Sequence, residues 1–218
     1  MSTIAQNNAI PDYYSWHQIG DWEREPDRTI PDFNTMKGKY KLPDRPIHIN
    51  EYASKDEQNP GTTPFFIGQL ERYNLQGLRS NWGGGGDLHN WMANLIWKNG
   101  NTYYPNGEWV LYKYYANMVG DRVATTAATD RKFDAFAVKT SNSTAKIIAG
   151  TRLVKARYDI QLLSLSSLGL PASGSLSIRT YRFDWNGPTG QVTAPVDLGK
   201  STATYSGNTV SVPSRNHR

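Results

Sequence analysis

The residues best suited to chemistry in this chain lie together in His48-Ile49-Asn50-Glu51-Tyr52. From Pro46 to Tyr52 the pattern is that of a buried strand whose last residues turn polar, which puts Glu51 at the strand's C-terminal end. In α/β barrels this is the end where catalytic groups gather. A carboxylate fixed there and kept ionised can attack an anomeric carbon and form a glycosyl-enzyme intermediate. Asn50 and Tyr52 are suited to hydrogen-bond such a carboxylate or a sugar, although strand alternation aims some of these side chains elsewhere. A surface glutamate following a strand is the plainer alternative.

Two further strand ends fit the same chemistry. Trp16-His17 closes an aromatic segment, Asp12 to Ile19; its histidine can bond a substrate hydroxyl or the carboxylate, or be a structural strand-end residue. Asn81-Trp82 closes a third short strand from Leu78, and Trp82 is a candidate floor for stacking a sugar ring, or a plug for a barrel end. Gly83 to Gly86 lacks both the Lys-Ser/Thr of a phosphate loop and the spaced glycines of a dinucleotide fingerprint, so a rim loop is expected. The chain has no cysteine, which excludes disulfides, thiolate catalysis and cysteine-based zinc sites. His17, Asp21 and Glu25 stand at four-residue steps, but Pro26 and the polar surroundings disfavour the helix they would need, so no metal or other cofactor is expected.

The composition permits a packed core: of 218 residues, 38% are hydrophobic and 20% charged. Trp and Tyr are numerous, at 7 and 13; both side chains suit sugar recognition as well as core packing. The net charge of +5 comes from scattered Lys and Arg. The densest patch, Thr151 to Arg157, places Arg152, Lys155 and Arg157 at near-alternating spacing, which suggests a solvated strand face and not a nucleic-acid surface. No apolar run reaches the length of a membrane span. Met1 to Ile10 lacks the basic start and apolar stretch of a signal peptide. The sequon Asn142-Ser143-Thr144 is compatible with an extracellular, secreted parent protein.

The elements that must hold these residues alternate in type through the first half. Strands are expected at Asp12–Ile19, Pro46–Tyr52 and Leu78–Trp82. Helices are expected at Phe33–Tyr40, Pro64–Leu75, Asp87–Trp97 and Glu108–Met118. The stretch from Asp21 to Asp32 reads as a polar, Pro-punctuated loop. Beyond Val123 the pattern changes to short strands at 133–138, 146–153, 158–165, 176–183, 191–196 and 209–212, separated by turn residues. Even spacing of this kind suggests an antiparallel sandwich. The fold class is therefore α/β plus all-β, divided into residues 1–122 and 123–218. Three parallel strands cannot close a barrel of eight, so the α/β portion is either a small open sheet or part of a barrel.

The motifs resemble those of clan A glycoside hydrolases. Tyr13-Tyr14-Ser15-Trp16-His17 resembles the sixth barrel strand, Ile47 to Tyr52 the seventh, and Leu78-Arg79-Ser80-Asn81-Trp82 the eighth. Trp109 to Gly120 followed by Phe133-Asp134-Ala135-Phe136-Ala137 resembles the passage from barrel to β-sandwich in family 39-like enzymes. The resemblance implies the C-terminal part of a (β/α)8 barrel followed by an antiparallel β-sandwich. It implies a retaining O-glycosidase acting on a plant, fungal or algal polysaccharide or glycoside, with Glu51 as nucleophile and Trp16, His17, Asn50, Tyr52 and Trp82 binding substrate. In that clan the acid/base is a Glu on the fourth strand, which this chain begins too late to contain. Glu23, Glu25 and Asp87 have no spacing that singles one out as a substitute. A non-catalytic carbohydrate-binding or structural fragment therefore stays open, as does self-association through exposed barrel edges.

Overall fold

The computed structural model describes residues 1–20, 25–80, 94–141 and 144–213. A short helix, α1 (Ser2–Gln6), precedes β1 (Tyr14–Gln18), α2 (Pro26–Lys39), β2 (Ile47–Tyr52), α3 (Thr63–Arg72) and β3 (Gln76–Arg79). The three strands form one parallel sheet in the order β1-β2-β3. Helix α2 starts at Pro26 and not at Phe33. Pro26 fills a first-turn position, where its missing N–H leaves no bond unmade. Pro31 lies inside the helix, so residues 26–32, expected as part of a loop, are helical despite their prolines.

Both helices cover the same face of the sheet. Tyr14 and Trp16 of β1 pack on Phe33 of α2, and Ile49 and Tyr52 of β2 pack on Phe65, Phe66 and Leu70 of α3. Helix α3 is buried from Thr63 to Leu70 because it is also covered from its other side. There Ile67 meets Phe136, Val138 and Ile148. Gly68 lies so close to Ala135 that a Cβ would stand 2.7 Å from its carbonyl oxygen. A helix with apolar neighbours on two sides is a shared core element, not an amphipathic cover.

The remaining elements are β4 (Ile96–Asn99), β5 (Thr102–Pro105), α4 (Gly107–Ala116), β6 (Asp121–Val123), β7 (Phe133–Ser141), β8 (Thr144–Thr151), β9 (Asp159–Leu162), β10 (Gly174–Arg182), β11 (Val196–Tyr205) and β12 (Val210–Pro213). All their pairings are antiparallel: β4 with β5, β6-β7-β8 as one ladder, β10 with β11, and β9 with β12. The fold thus mixes helices with one parallel and several antiparallel sheets, and the described strands form no closed barrel. Trp97 belongs to β4 and not to a helix; it faces Tyr104 across the ladder with the rings stacked at 4.9 Å. The two-residue turn Gly100-Asn101, where Gly100 has φ +59°, reverses the chain. Residues 191–195 are not strand; β11 begins at Val196.

Arginine–carboxylate contacts join the two kinds of sheet. Arg72 of α3 donates to both oxygens of Asp27 at 2.8 and 2.9 Å, and also to Asp134 of β7 and the Thr125 carbonyl. The charged patch after β8 is not a solvated face, because Arg152 is buried while Lys155 and Arg157 are exposed. Among the described residues no helix is long and apolar enough to cross a membrane.

Candidate functional site

A β-bulge in β2 decides where Glu51 points. In the β1–β2 ladder Trp16 pairs with Ile49, but the next residue, His17, pairs with Glu51. In the β2–β3 ladder Ile49 pairs with Gly77 and Tyr52 with Arg79. Both neighbours therefore see one extra residue between Ile49 and Tyr52. Strict alternation from Ile49 would send Glu51 toward the helices, where an unpaired carboxylate is costly. The bulge leaves Ile49 and Tyr52 on the helix side and turns Glu51 to the opposite face with His17. His17 Nδ1 lies 3.4 Å from Glu51 Oε2, and both side chains are about half exposed, at 56% and 40%.

The other expected site residues divide. Asn50, the neighbour of Glu51 within the bulge, has its Oδ1 shut off from solvent without a hydrogen-bond partner. Trp16 is partly buried against the core: its ring packs on Phe33 and its indole N–H donates to Gln18 Oε1 at 3.1 Å. Tyr52 is a core residue, 4% exposed and packed against Phe66. Both lie on the helix side of the sheet, opposite the face to which Glu51 and His17 turn. Trp82 lies outside the described residues, as do Asn81, Glu23, Asp87, the Gly83–Gly86 run and the Asn142-Ser143 part of the sequon.

Beneath the site, burial perturbs several groups. Tyr52 Oη and Tyr112 Oη are 2.5 Å apart. Desolvation pushes the Tyr52 phenol up to about 12, and that of Tyr112 up as well. Arg79, the register partner of Tyr52, forks onto Glu108 of α4, which also accepts from the Thr63 hydroxyl. Glu108 is closed to solvent, and this burial raises its carboxyl to about 7 against the pull of Arg79 and Thr63. Asn106 caps α4, its Oδ1 accepting from the Glu108 and Trp109 amides at 3.1 Å, which holds Glu108 under the strand end.

The strand exits are tied down by residues that sequence reasoning passed over. After Tyr52 the chain turns through Ala53, a buried non-glycine residue at φ +65°. Glu57 then accepts from the Ser54 amide at 2.7 Å and its hydroxyl at 2.8 Å. The Ser54-Lys55-Asp56-Glu57 spacing is a capping-box signature, the one local sign from which this turn was readable. Gln58 donates to the carbonyls of Ala53 and Ser80, at 3.3 and 2.7 Å, and so joins the exits of β2 and β3. Glu25, Glu57 and Glu108 are all engaged by arginines. Glu51, by contrast, meets a histidine on an open face. Among the described residues no group of three or more His, Asp or Glu is arranged to hold a metal ion.

No family model matches the chain. It is 23% identical over 150 residues to a 3-O-alpha-D-galactosyl-alpha-L-arabinofuranosidase of Bifidobacterium longum subsp. longum, a match covering 66% of this chain and 13% of that protein. This is weak homology to a glycosidase. A solved structure, N2152 from Neocallimastix frontalis, superposes with a TM-score of 0.72 at 20% identity, covering 99% of this chain and 53% of that one. The two share a fold. A glycoside hydrolase family 44 endoglucanase from Clostridium acetobutylium overlaps at a TM-score of 0.48 and 16% identity, over 84% of this chain and 33% of that one. The chain thus spans about half the length of the N2152 structure and a much smaller share of the arabinofuranosidase.

Proposed function

We propose that the chain is a carbohydrate-active protein, the C-terminal part of a retaining O-glycosidase of the clan A, family 39-like type, with Glu51 as its nucleophile. The observation that carries this is the bulge in β2, which takes a carboxylate off the helix-covered face and sets it against His17 at the C-terminal end of a parallel strand. A carboxylate so placed can attack an anomeric carbon from the open side of the sheet, while the imidazole fixes one of its oxygens. The weak homology to an arabinofuranosidase adds support for glycosidic substrates. In this proposal β1, β2 and β3 are the last strands of a barrel, the antiparallel ladders form the sandwich from about residue 123, and the substrate is a plant, fungal or algal polysaccharide or glycoside. The parent protein is secreted, and the edges of the open sheet support self-association.

A second function, non-catalytic sugar binding, is favoured by one observation. Retaining hydrolysis needs two carboxyl groups about 5 Å apart, and Glu25, Glu57 and Glu108 are committed to buried arginines. Incubation with 2-deoxy-2-fluoroglycosides carrying good leaving groups, α-L-arabinofuranosides among them, separates the two functions. Mass spectrometry should find the glycosyl adduct on Glu51. Saturable sugar binding with no adduct would favour the binding module, and an adduct on another carboxylate would reject the nucleophile assignment. The same trapping on a longer parent chain tests whether a second carboxylate is supplied from there.

A further inference from the structure

Arg152 follows directly on β8, in the antiparallel half, yet its guanidinium reaches the exits of both strands that carry the candidate site. It donates to the Gly20 carbonyl, to Glu25 and to Glu57, and its side chain is 5% exposed. Gly20 lies just beyond His17 at the exit of β1. Glu57 grips the amide and hydroxyl of Ser54, just beyond Glu51 at the exit of β2. One planar fork thus spans the two turns that fix where His17 and Glu51 leave the sheet. Its approach is set by its neighbours: the Thr151 amide donates to the Gly61 carbonyl at 3.0 Å, and Gly150 packs against that same residue. Arg131 adds a second cation on Glu25 at 3.4 Å, so two buried carboxylates face two guanidinium groups.

Burying these charges brings little stability relative to apolar packing of the same volume. What a guanidinium does provide is fixed angles among several acceptors, which a lysine ammonium does not. We infer that Arg152 is a positioning residue: it sets the separation of the β1 and β2 exits and thereby holds His17 against Glu51. This inference rests on Glu51 being the functional carboxylate. It assigns to the antiparallel half a part in building the site, and predicts that loosening the fork changes the His17–Glu51 contact while the fold persists.

The test is a double-mutant cycle read on the His17 ring. In ¹⁵N-histidine-labelled full chain, Glu51→Gln should shift the His17 ring nitrogens, assigned by loss of the signal in His17→Gln. In an Arg152→Lys background that remains folded by near-UV circular dichroism, the response to Glu51→Gln should be at least halved. An undiminished response, or none in the parent background, overturns the inference. If Arg152→Lys does not fold, Glu57→Gln, which cuts the β2 arm alone, is judged by the same criterion. If neither variant folds, the role of Arg152 is structural and the inference fails. The ring signal needs no turnover, so a coupled His17 in an inactive protein rejects the glycosidase proposal alone. Where turnover is found, Arg152→Lys should lower kcat by about ten- to a hundredfold with KM little changed.

Discussion

His17 and Glu51 are register partners across a parallel ladder, and the side-chain contact between them exists only because Asn50 occupies no place in that ladder. The extra residue switches the faces of both Glu51 and Tyr52: Glu51 turns away from the helices, and Tyr52, the next residue, joins Ile49 on their side. Had the strand run regularly, Glu51 would have entered the layer occupied by Ile49, Phe65 and Phe66.

Glu51→Gln keeps the shape and removes the charge. Glu51 is partly exposed and lies outside the core, so unfolding free energy should change by no more than about 0.5 kcal/mol. Any glycosidase turnover should fall at least about a thousandfold. Parallel urea titrations and initial-rate assays check both halves; a variant that keeps its rate removes Glu51 from the mechanism.

Asn50→Ala tests whether the bulge residue serves binding at the expense of stability. Its buried Oδ1 has no partner, so truncation loses no hydrogen bond to this atom and relieves an unmatched acceptor. Stability should stay level or rise by up to about 1 kcal/mol, while affinity for a bound sugar falls. A marked drop in melting temperature would show that Asn50 is structural.

Glu108 should make stability depend on pH. Its folded-state value of about 7 lies above the ordinary 4.5, so the folded protein holds this proton more tightly than the unfolded chain does. The resulting contribution is fully present below about 4.5 and is lost as the pH rises through about 7. Across that window the unfolding free energy of wild type relative to Glu108→Gln should decline, by an amount on the order of a few kcal/mol. Urea unfolding of both proteins at several pH values measures this; a difference that stays flat refutes it.

Gly150→Ala probes the contact between β8 and the loop entering α3. A Cβ at Gly150 would lie well inside van der Waals contact of the Gly61 carbonyl oxygen and 3.1 Å from Pro64 Cδ. Backbone must move to admit it, at a cost of about 1–3 kcal/mol, read as a lower thermal midpoint. Gly38→Ala, at a position with open space around its Cβ, is the control and should not lower the midpoint.

Much of this architecture was legible because strand and helix periods differ. Pro46–Tyr52 and Pro64–Leu75 gave β2 and α3 almost to their ends, and the turn-rich second half gave antiparallel strands. Three things escaped for identifiable reasons. A bulge is a relation between strands, so no pattern within Ile47–Tyr52 reveals it, and the face of Glu51 could not be fixed. Trp16 and Tyr52 look like sugar contacts by residue type, but alternation from buried Tyr14 turns Trp16 toward the helices, and the bulge turns Tyr52 there. Arg152 sits in an alternating basic patch that resembles a solvated face, and its partners lie far away in sequence. The hairpin at Ile96–Pro105 carries a Gly100-Asn101 turn between aromatic residues, a signal passed over in extending a helix from Asp87 to Trp97.

The fork at Arg152 also has a consequence for the order of assembly. Its contacts span sequence separations of 95, 127 and 132 residues, to Glu57, Glu25 and Gly20. The β1–β2 ladder joins residues far nearer in the chain and can pair once Tyr52 has left the ribosome. The two exits wait until β8 is made and folded back, because long loops close late and slowly. A nascent or early-refolding chain therefore holds the parallel sheet before it holds the site, and recovery of His17–Glu51 geometry should lag behind recovery of secondary structure.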